Sequence, residues 1–169
     1  MKTIYVDGYN VISSWHQLRE AKEYSLEAAR EKLIEILQNY STYKGYKLFL
    51  VFDAHLQRGS LEKKERKSSN FIVIYTKEGQ TADSYIEKAV NNVGRKIDVT
   101  VVTSDSLEQQ LTFQRGATRM SSIEFYFEVN KVHEAIRKQT EKKAVDKRNL
   151  LEDRLNEDVL EQLEKIRKS

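Results

Sequence analysis

Four short apolar runs, parted by longer polar or helix-patterned stretches, constrain this chain more than anything else in it. Thr3–Val6, Lys47–Asp53, Asn70–Thr76 and Asp98–Asp105 read TIYV, KLFLVFD, NFIVIYT and DVTVVTSD. Each is strand-length and rich in the branched and aromatic residues that suit a pleated surface. The second is apolar on both faces, as strands are in parallel sheets covered on both sides. Between the first two runs, Leu26, Ala29, Leu33, Ile36, Leu37 and Tyr40 recur at helical spacing. Ser25 stands where an N-cap belongs and Gly45 where the helix would stop. Thr81–Gly94 predicts a second helix, entered through Thr81 and closed by Gly94. Ser104–Phe113 predicts a short helix, Gly116–Arg119 a weak fifth strand, and the chain from about Ser121 a helix to its end. Strands alternating with helices predict an α/β fold with a doubly wound, mainly parallel sheet. In such sheets ligands collect outside the carboxyl ends of the strands.

Composition narrows the setting. There is no proline, so turns fall to Gly, Asn, Asp and Ser, and long helices run uninterrupted. There is no cysteine, which excludes a disulfide framework and a thiolate zinc site. No apolar stretch approaches the roughly 20 residues that span a bilayer, and the N-terminus lacks a signal-peptide pattern. A cytoplasmic protein with no membrane association is expected. The formal net charge of +3 is too small to identify a partner, but its distribution is uneven. The segment Ala54–Asn70 carries Arg58, Lys63, Lys64, Arg66 and Lys67 against Glu62 and Glu65, a local charge equal to that of the whole chain. The C-terminal stretch mixes both signs and carries a stripe at Leu151, Leu155, Val159, Leu163 and Ile166. A domain over 1–130 and a helical extension over 131–169, packed on the domain or on a partner, are expected.

The strand ends are where chemistry gathers. Asp7 ends the first apolar run, Asp53 the second, and Asp105 follows the fourth, while Asp83 sits in the first turn of the helix that opens TADSYIE. Any one of these carboxylates, taken alone, more often caps a helix than binds a ligand. Together they would lie on one edge of a parallel sheet, Asp83 joining only if the Thr76–Gln80 connection keeps its helix start near the strand ends. Carboxylates gathered this way repel one another unless a cation neutralises them. Mg²⁺ or Mn²⁺, with hard oxygen ligands, waters and substrate phosphates, is the usual solution. The chemistry such a set suits is metal-assisted phosphodiester hydrolysis.

The basic segment directly follows Asp53, so it is expected to overhang this edge as a flexible lid that contacts phosphates, although a charge run is ordinarily just solvated. Asn10 either hydrogen-bonds a carboxylate or a metal water, or caps the next helix. Tyr9, Trp15 and Tyr85 have base stacking open to them, with packing the more ordinary role. His55 lies beside Asp53, but with only His16 and His133 besides, a two-histidine ribonuclease mechanism has little support. No G-x-G-x-x-G follows the first strand and no P-loop is present. A receiver domain would want an acidic pair after the first strand, and a haloacid-dehalogenase phosphatase an Asp where Tyr9 stands.

The stretches VDGYNVI, LVFDAH, KEGQTADSYIEK, VVTSD and GATRMSSIEF, in this order and spacing, resemble the NYN domains of the PIN-like ribonuclease superfamily, specifically the YacP-like branch. The resemblance implies a parallel sheet of order near 3-2-1-4-5, a Mg²⁺ or Mn²⁺ site and endonucleolytic cleavage of single-stranded RNA. It places the catalytic acids on Asp7, Asp83 and Asp105, with Asn10 in support and Asp53 as a further metal-side acid. A fourth ligand would come from Glu20 or Glu23, neither marked by any motif. It also implies mRNA and the ribosome as partners, with cutting in the A site; separately, a monomer is expected. Arg58, Lys63, Lys64, Arg66 and Lys67, together with the C-terminal helix, are the surfaces for docking on RNA. A non-catalytic RNA- or ribosome-binding module of the same fold is the alternative.

Overall fold

A computed structural model of the chain describes residues 1–54, 58–93, 97–104 and 116–168. The chain opens with β1 (Thr3–Asp7), then α1 (Gly8–Ser14), α2 (His16–Tyr24) and α3 (Leu26–Lys44). There follow β2 (Lys47–Phe52), β3 (Lys63–Arg66), β4 (Phe71–Tyr75), α4 (Ala82–Val93), β5 (Val99–Val102), β6 (Thr118–Met120) and α5 (Ser122–Lys168).

The described strands form one sheet in the order β3-β4-β2-β1-β5-β6. All neighbours pair in parallel except β3, which runs antiparallel to β4. Counting the parallel strands alone, the order is 3-2-1-4-5, as the resemblance implies. The exception corrects one expectation. Lys63–Arg66, expected within a flexible lid, is an edge strand whose residues pair with Ile72–Tyr75 of β4. Its sequence, KKER, has no apolar alternation to announce it. Lysine-rich edges of this kind discourage pairing with other chains.

Period-two alternation divides the strands between two faces. Tyr5, Val51, Ile74, Val99 and Val101 pack with Ala82, Ile86 and Val90 of α4 on one side. On the other side α1 and α3 cover the sheet. The stripe Ala29, Leu33, Leu37 and Tyr40 of α3 is buried, as one apolar face of a helix requires. Ser25 caps α3 by accepting from the Ala28 N–H at 3.0 Å, and Gly45 ends it in the left-handed conformation at φ 68°. Between α1 and α2 the backbone of Trp15 is extended. Its buried indole N–H donates to the Ser122 carbonyl at 2.8 Å, and its ring packs against Phe125 and Tyr126. Trp15 is therefore a structural anchor, and the base-stacking role open to it from sequence is excluded by burial.

The chain divides into two units, Met1–Lys131 and Val132–Ser169. The described part of the second is a continuation of α5 alone, along which Leu151, Leu155, Val159, Leu163 and Ile166 are exposed. No described helix is long and apolar enough to cross a membrane.

Candidate active site

The end of β1 becomes a helix without an intervening loop. Asp7 is both the last residue of β1 and the N-cap of α1, its Oδ1 accepting from the Asn10 N–H at 3.3 Å. Gly8 makes this junction possible. A Cβ there would drive into the Phe52 ring and approach the Val51 carbonyl at 3.1 Å, so only glycine lets α1 start against the end of β2. The carboxylate is thus held at the strand end by the very cap that an isolated Asp would be expected to form.

Asp53 follows β2 directly. Its Oδ2 accepts from the Ala82 N–H at 3.4 Å, from the first turn of α4. Thr81 also caps that turn, accepting from the Ser84 N–H at 3.1 Å. The connection from β4 is clamped at Thr76, whose N–H reaches the Phe52 carbonyl at 3.0 Å. The Thr76 hydroxyl accepts from the Ala54 N–H at 2.9 Å and donates to the Gln80 carbonyl at 2.8 Å. A tight turn over 77–80 closes with the Gln80 N–H on the Lys77 carbonyl at 3.1 Å. Gly79 occupies its third position at φ 79°, where a side chain would be strained. This short, fixed loop meets the condition that the sequence set for Asp83: the start of α4 stays beside the strand ends.

Asp83 and Asp53 consequently both act on Asp7. The Asp7 carboxyl is pushed up to about 7. Burial is the main cause, opposed by the Asn10 N–H and reinforced by the charges of Asp83 and Asp53 and by a hydrogen bond with Asp83. Among the described residues, no group of three or more His, Cys, Asp or Glu side chains is placed to hold a metal ion. What the structure brings together is a mutually repelling set of hard oxygen donors, of the kind a hydrated Mg²⁺ or Mn²⁺ satisfies with only one or two carboxylates. The donor chemistry therefore fits such an ion.

Asp105, the remaining acid of the expected set, lies outside the described residues, as does His55. Ser104, the residue before Asp105, is described. Its N–H donates to Asn10 Oδ1 at 3.1 Å, and the same oxygen accepts from the Ser122 hydroxyl. Asn10 thus ties the end of the β5 strand and the start of α5 to α1, a positioning role that neither expectation for it described. Ser122 was invisible as a site residue in the sequence, and only its place in GATRMSSIEF marked it. Glu20 pairs with His16 at 3.0 Å on the exposed face of α2, and Glu23 is exposed on the same helix. Neither is among the charges acting on Asp7.

Lys63, Lys64 and Arg66 stand on β3, Lys67 just after it, and Arg58 in the exposed turn before it. Glu65 holds Lys63 at 2.8 Å and Lys67 at 3.0 Å, and Glu62 lies 3.8 Å from Lys64. The basic segment is a hairpin edge with partly paired charges. Between it and α3 opens a cleft of about 590 Å³ whose lining includes Tyr9, Arg30, Ala54 and Tyr75. Arg30 and Tyr75 carried no motif, and only their convergence from distant parts of the sequence reveals them.

A family model described as YacP-like NYN domain matches residues 4–168. The uncharacterized protein YacP of Bacillus subtilis (strain 168) is 40% identical over 171 residues, covering 99% of this chain and 98% of its own. A crystal structure of Rae1 (YacP) from Bacillus subtilis superposes with a TM-score of 0.74 at 36% identity, covering 100% of this chain and 96% of that one. A crystal structure of a single-substitution mutant of the same Bacillus subtilis protein gives 0.71 at 36% identity, over 84% of this chain and 83% of that one.

Proposed function

The chain belongs to the YacP-like NYN domain family, a nuclease-type family, and from that premise we propose that it is a divalent-metal-dependent endoribonuclease that hydrolyses mRNA phosphodiester bonds on translating ribosomes, in the A site. The observation that carries the reading is the convergence of Asp53 and Asp83 on the buried Asp7, at the carboxyl ends of β1 and β2 and the start of α4, where burial first and the two neighbouring charges second push the Asp7 carboxyl up to about 7. A purely structural cap has no need of two further carboxylates beside it, and their repulsion costs stability that an uncharged edge would keep.

Asp7, Asp83 and Asp105 are the proposed ligand set for Mg²⁺ or Mn²⁺, with Asp53 beside them. When bound, the ion supplies charge neutralisation at the scissile phosphate and lowers the pKa of water at the edge. The protein's own part is positional. The cap to Asn10 N–H aims Asp7 out of β1, Asp53 fixes the start of α4 through Ala82, and Asn10 holds Ser104 immediately before Asp105. Water attacks phosphorus in line, and the bond to the 3′ oxygen breaks, leaving a 5′-phosphate and a 3′-hydroxyl. The β3 hairpin, with Lys63, Lys64, Arg66, Lys67 and nearby Arg58, contributes phosphate contacts that orient the strand.

The test is cleavage of a translated reporter message by the Asp83→Asn protein, read by mapping 5′ ends. Loss of at least a hundredfold in cutting, with ribosome association retained, is expected. Undiminished cutting overturns the assignment of the edge, and ribosome binding with no metal-dependent cleavage by the unaltered protein favours a non-catalytic binding module.

A further inference from the structure

We propose that the cleft between α3 and the β3–β4 hairpin is a nucleobase subsite, holding one unpaired base of the RNA strand whose backbone crosses the carboxylate edge; this rests on the nuclease reading for the identity of the strand. The cleft adjoins the edge through the chain itself. Tyr9 is two residues past Asp7, Ala54 is next to Asp53, and both line the cavity.

Its aromatic wall is preassembled. The Tyr9 ring lies 5.2 Å from Phe52, and Phe52 stacks on Tyr75 at 5.5 Å and 24°. Phe52 is fully buried, so it backs the two tyrosines that face the cleft. Arg30 Nη1 donates to the Tyr9 hydroxyl at 3.1 Å, which fixes ring and guanidinium together. Lys63 Nζ sits 5.8 Å from the centre of the Tyr75 ring, itself tied to Glu65. Fixed aromatic faces with a cation alongside are what single-stranded nucleic acid uses for sequence-tolerant stacking.

The charge of the lining decides between base and phosphate. Arg30, Lys63 and Lys67 are matched there by Glu27, Glu31 and Glu65. A phosphate subsite would need a positive excess, whereas a base presents donors and acceptors together and suits a wall of both signs. The volume of about 590 Å³ falls in the range of small-ligand clefts.

The experiment is equilibrium binding of the full-length protein to a fluorescein-labelled single-stranded oligoribonucleotide of about eight nucleotides, in EDTA so that no strand is cut. An abasic site is walked through each position, and the series is repeated with Tyr9→Leu, Tyr9→Phe, Arg30→Met and Tyr75→Leu. In the unaltered protein one abasic position weakens binding about tenfold. In Tyr9→Leu that position costs nothing further, and Tyr9→Phe, which keeps the ring, restores the penalty. Arg30→Met, which loses the same hydrogen bond as Tyr9→Phe and keeps both rings, retains the penalty, and Tyr75→Leu, which removes the other ring of the wall, repeats the Leu result should Tyr9→Leu fail to fold. Equal abasic penalties in the unaltered and Leu-variant proteins, no penalty at any position, or no binding of the oligonucleotide overturn the proposal. Cutting of a translated message is scored separately. Cutting that persists without a base effect removes the subsite alone, and a base effect without cutting removes the nuclease reading alone.

Discussion

Replacing Asp7 with Asn should make the metal-free protein more stable at alkaline pH while removing the cleavage proposed for it. The substitution keeps the shape of the side chain, and Asn caps helices as well as Asp does, so the hydrogen bond to the Asn10 N–H survives. What it removes is the charge. The Asp7 carboxyl sits at about 7 in the folded protein against 3.8 ordinarily. Between those values the folded state holds a proton that the unfolded chain has released, so stability falls by about 1.4 kcal/mol for each rise of one pH unit. Below 3.8 both states are protonated and above about 7 both are ionised, so the dependence is flat at either end. The whole penalty at pH 8 is on the order of 4 kcal/mol. Loss of a negative charge at the start of α1 offsets up to about 1 kcal/mol of this. Urea titrations of both proteins in EDTA, at intervals from pH 5 to pH 8.5, measure it. The stability gap between variant and unaltered protein should widen by about 2–3 kcal/mol from pH 5 to pH 7 and then level off, and Mg²⁺ should narrow it by binding only the unaltered edge. A gap that stays constant across the range, or shrinks as pH rises, refutes the reasoning.

Two further expectations concern the residues around that edge. Asn10→Ala leaves the Ser104 N–H and the Ser122 hydroxyl without their shared acceptor, so thermal or urea unfolding should show a loss of about 1–3 kcal/mol; a loss below about 0.5 kcal/mol would mean that water replaces the amide at no cost. Changing Lys63, Lys64, Arg66 and Lys67 together to Ala should weaken RNA or ribosome binding and reduce the slope of log K against log salt. Because Glu65 already holds two of the four, the reduction should stay below the about 3 that four complete single-strand phosphate contacts would give, and an unchanged slope would return the hairpin to an ordinary solvated edge.

The parallel core of this fold is legible because its longer strands are apolar runs of strand length, with helix signals after those of β1 and β4. The bounds of α3 are legible for the same local reason: Ser25 and Gly45 act within one turn of the helix they delimit. The features that escape sequence reading are those decided across the chain. Lys63–Arg66 is a strand because the open edge of β4 accepts it, not because KKER favours one. The segment 8–24 does carry Val11, Ile12, Trp15 and Leu18 at helical intervals, all buried. Its break at Trp15 is set by a partner 107 residues away. Within the site, the strand-end acids announce themselves, whereas the cap that Asp53 provides for α4 depends on proximity over 29 residues. Asn10 is the sharpest case: the sequence marks it as important, and its bonds to Ser104 and Ser122 lie 94 and 112 positions on.

Those long reaches fix an order of events during synthesis. Chains emerge from the ribosome N-terminus first, and closing a contact across about a hundred residues is among the slow steps of folding. Asp7, Asp53 and Asp83 are all made before Ser122 exists, and until it appears the Trp15 indole and the Asn10 amide lack the acceptor and donor that brace α1. The acidic edge therefore acquires its fixed form only when the beginning of the last helix returns to the first helix. A nascent chain carries the carboxylates without the geometry, and the geometry arrives as the final act of closing the domain.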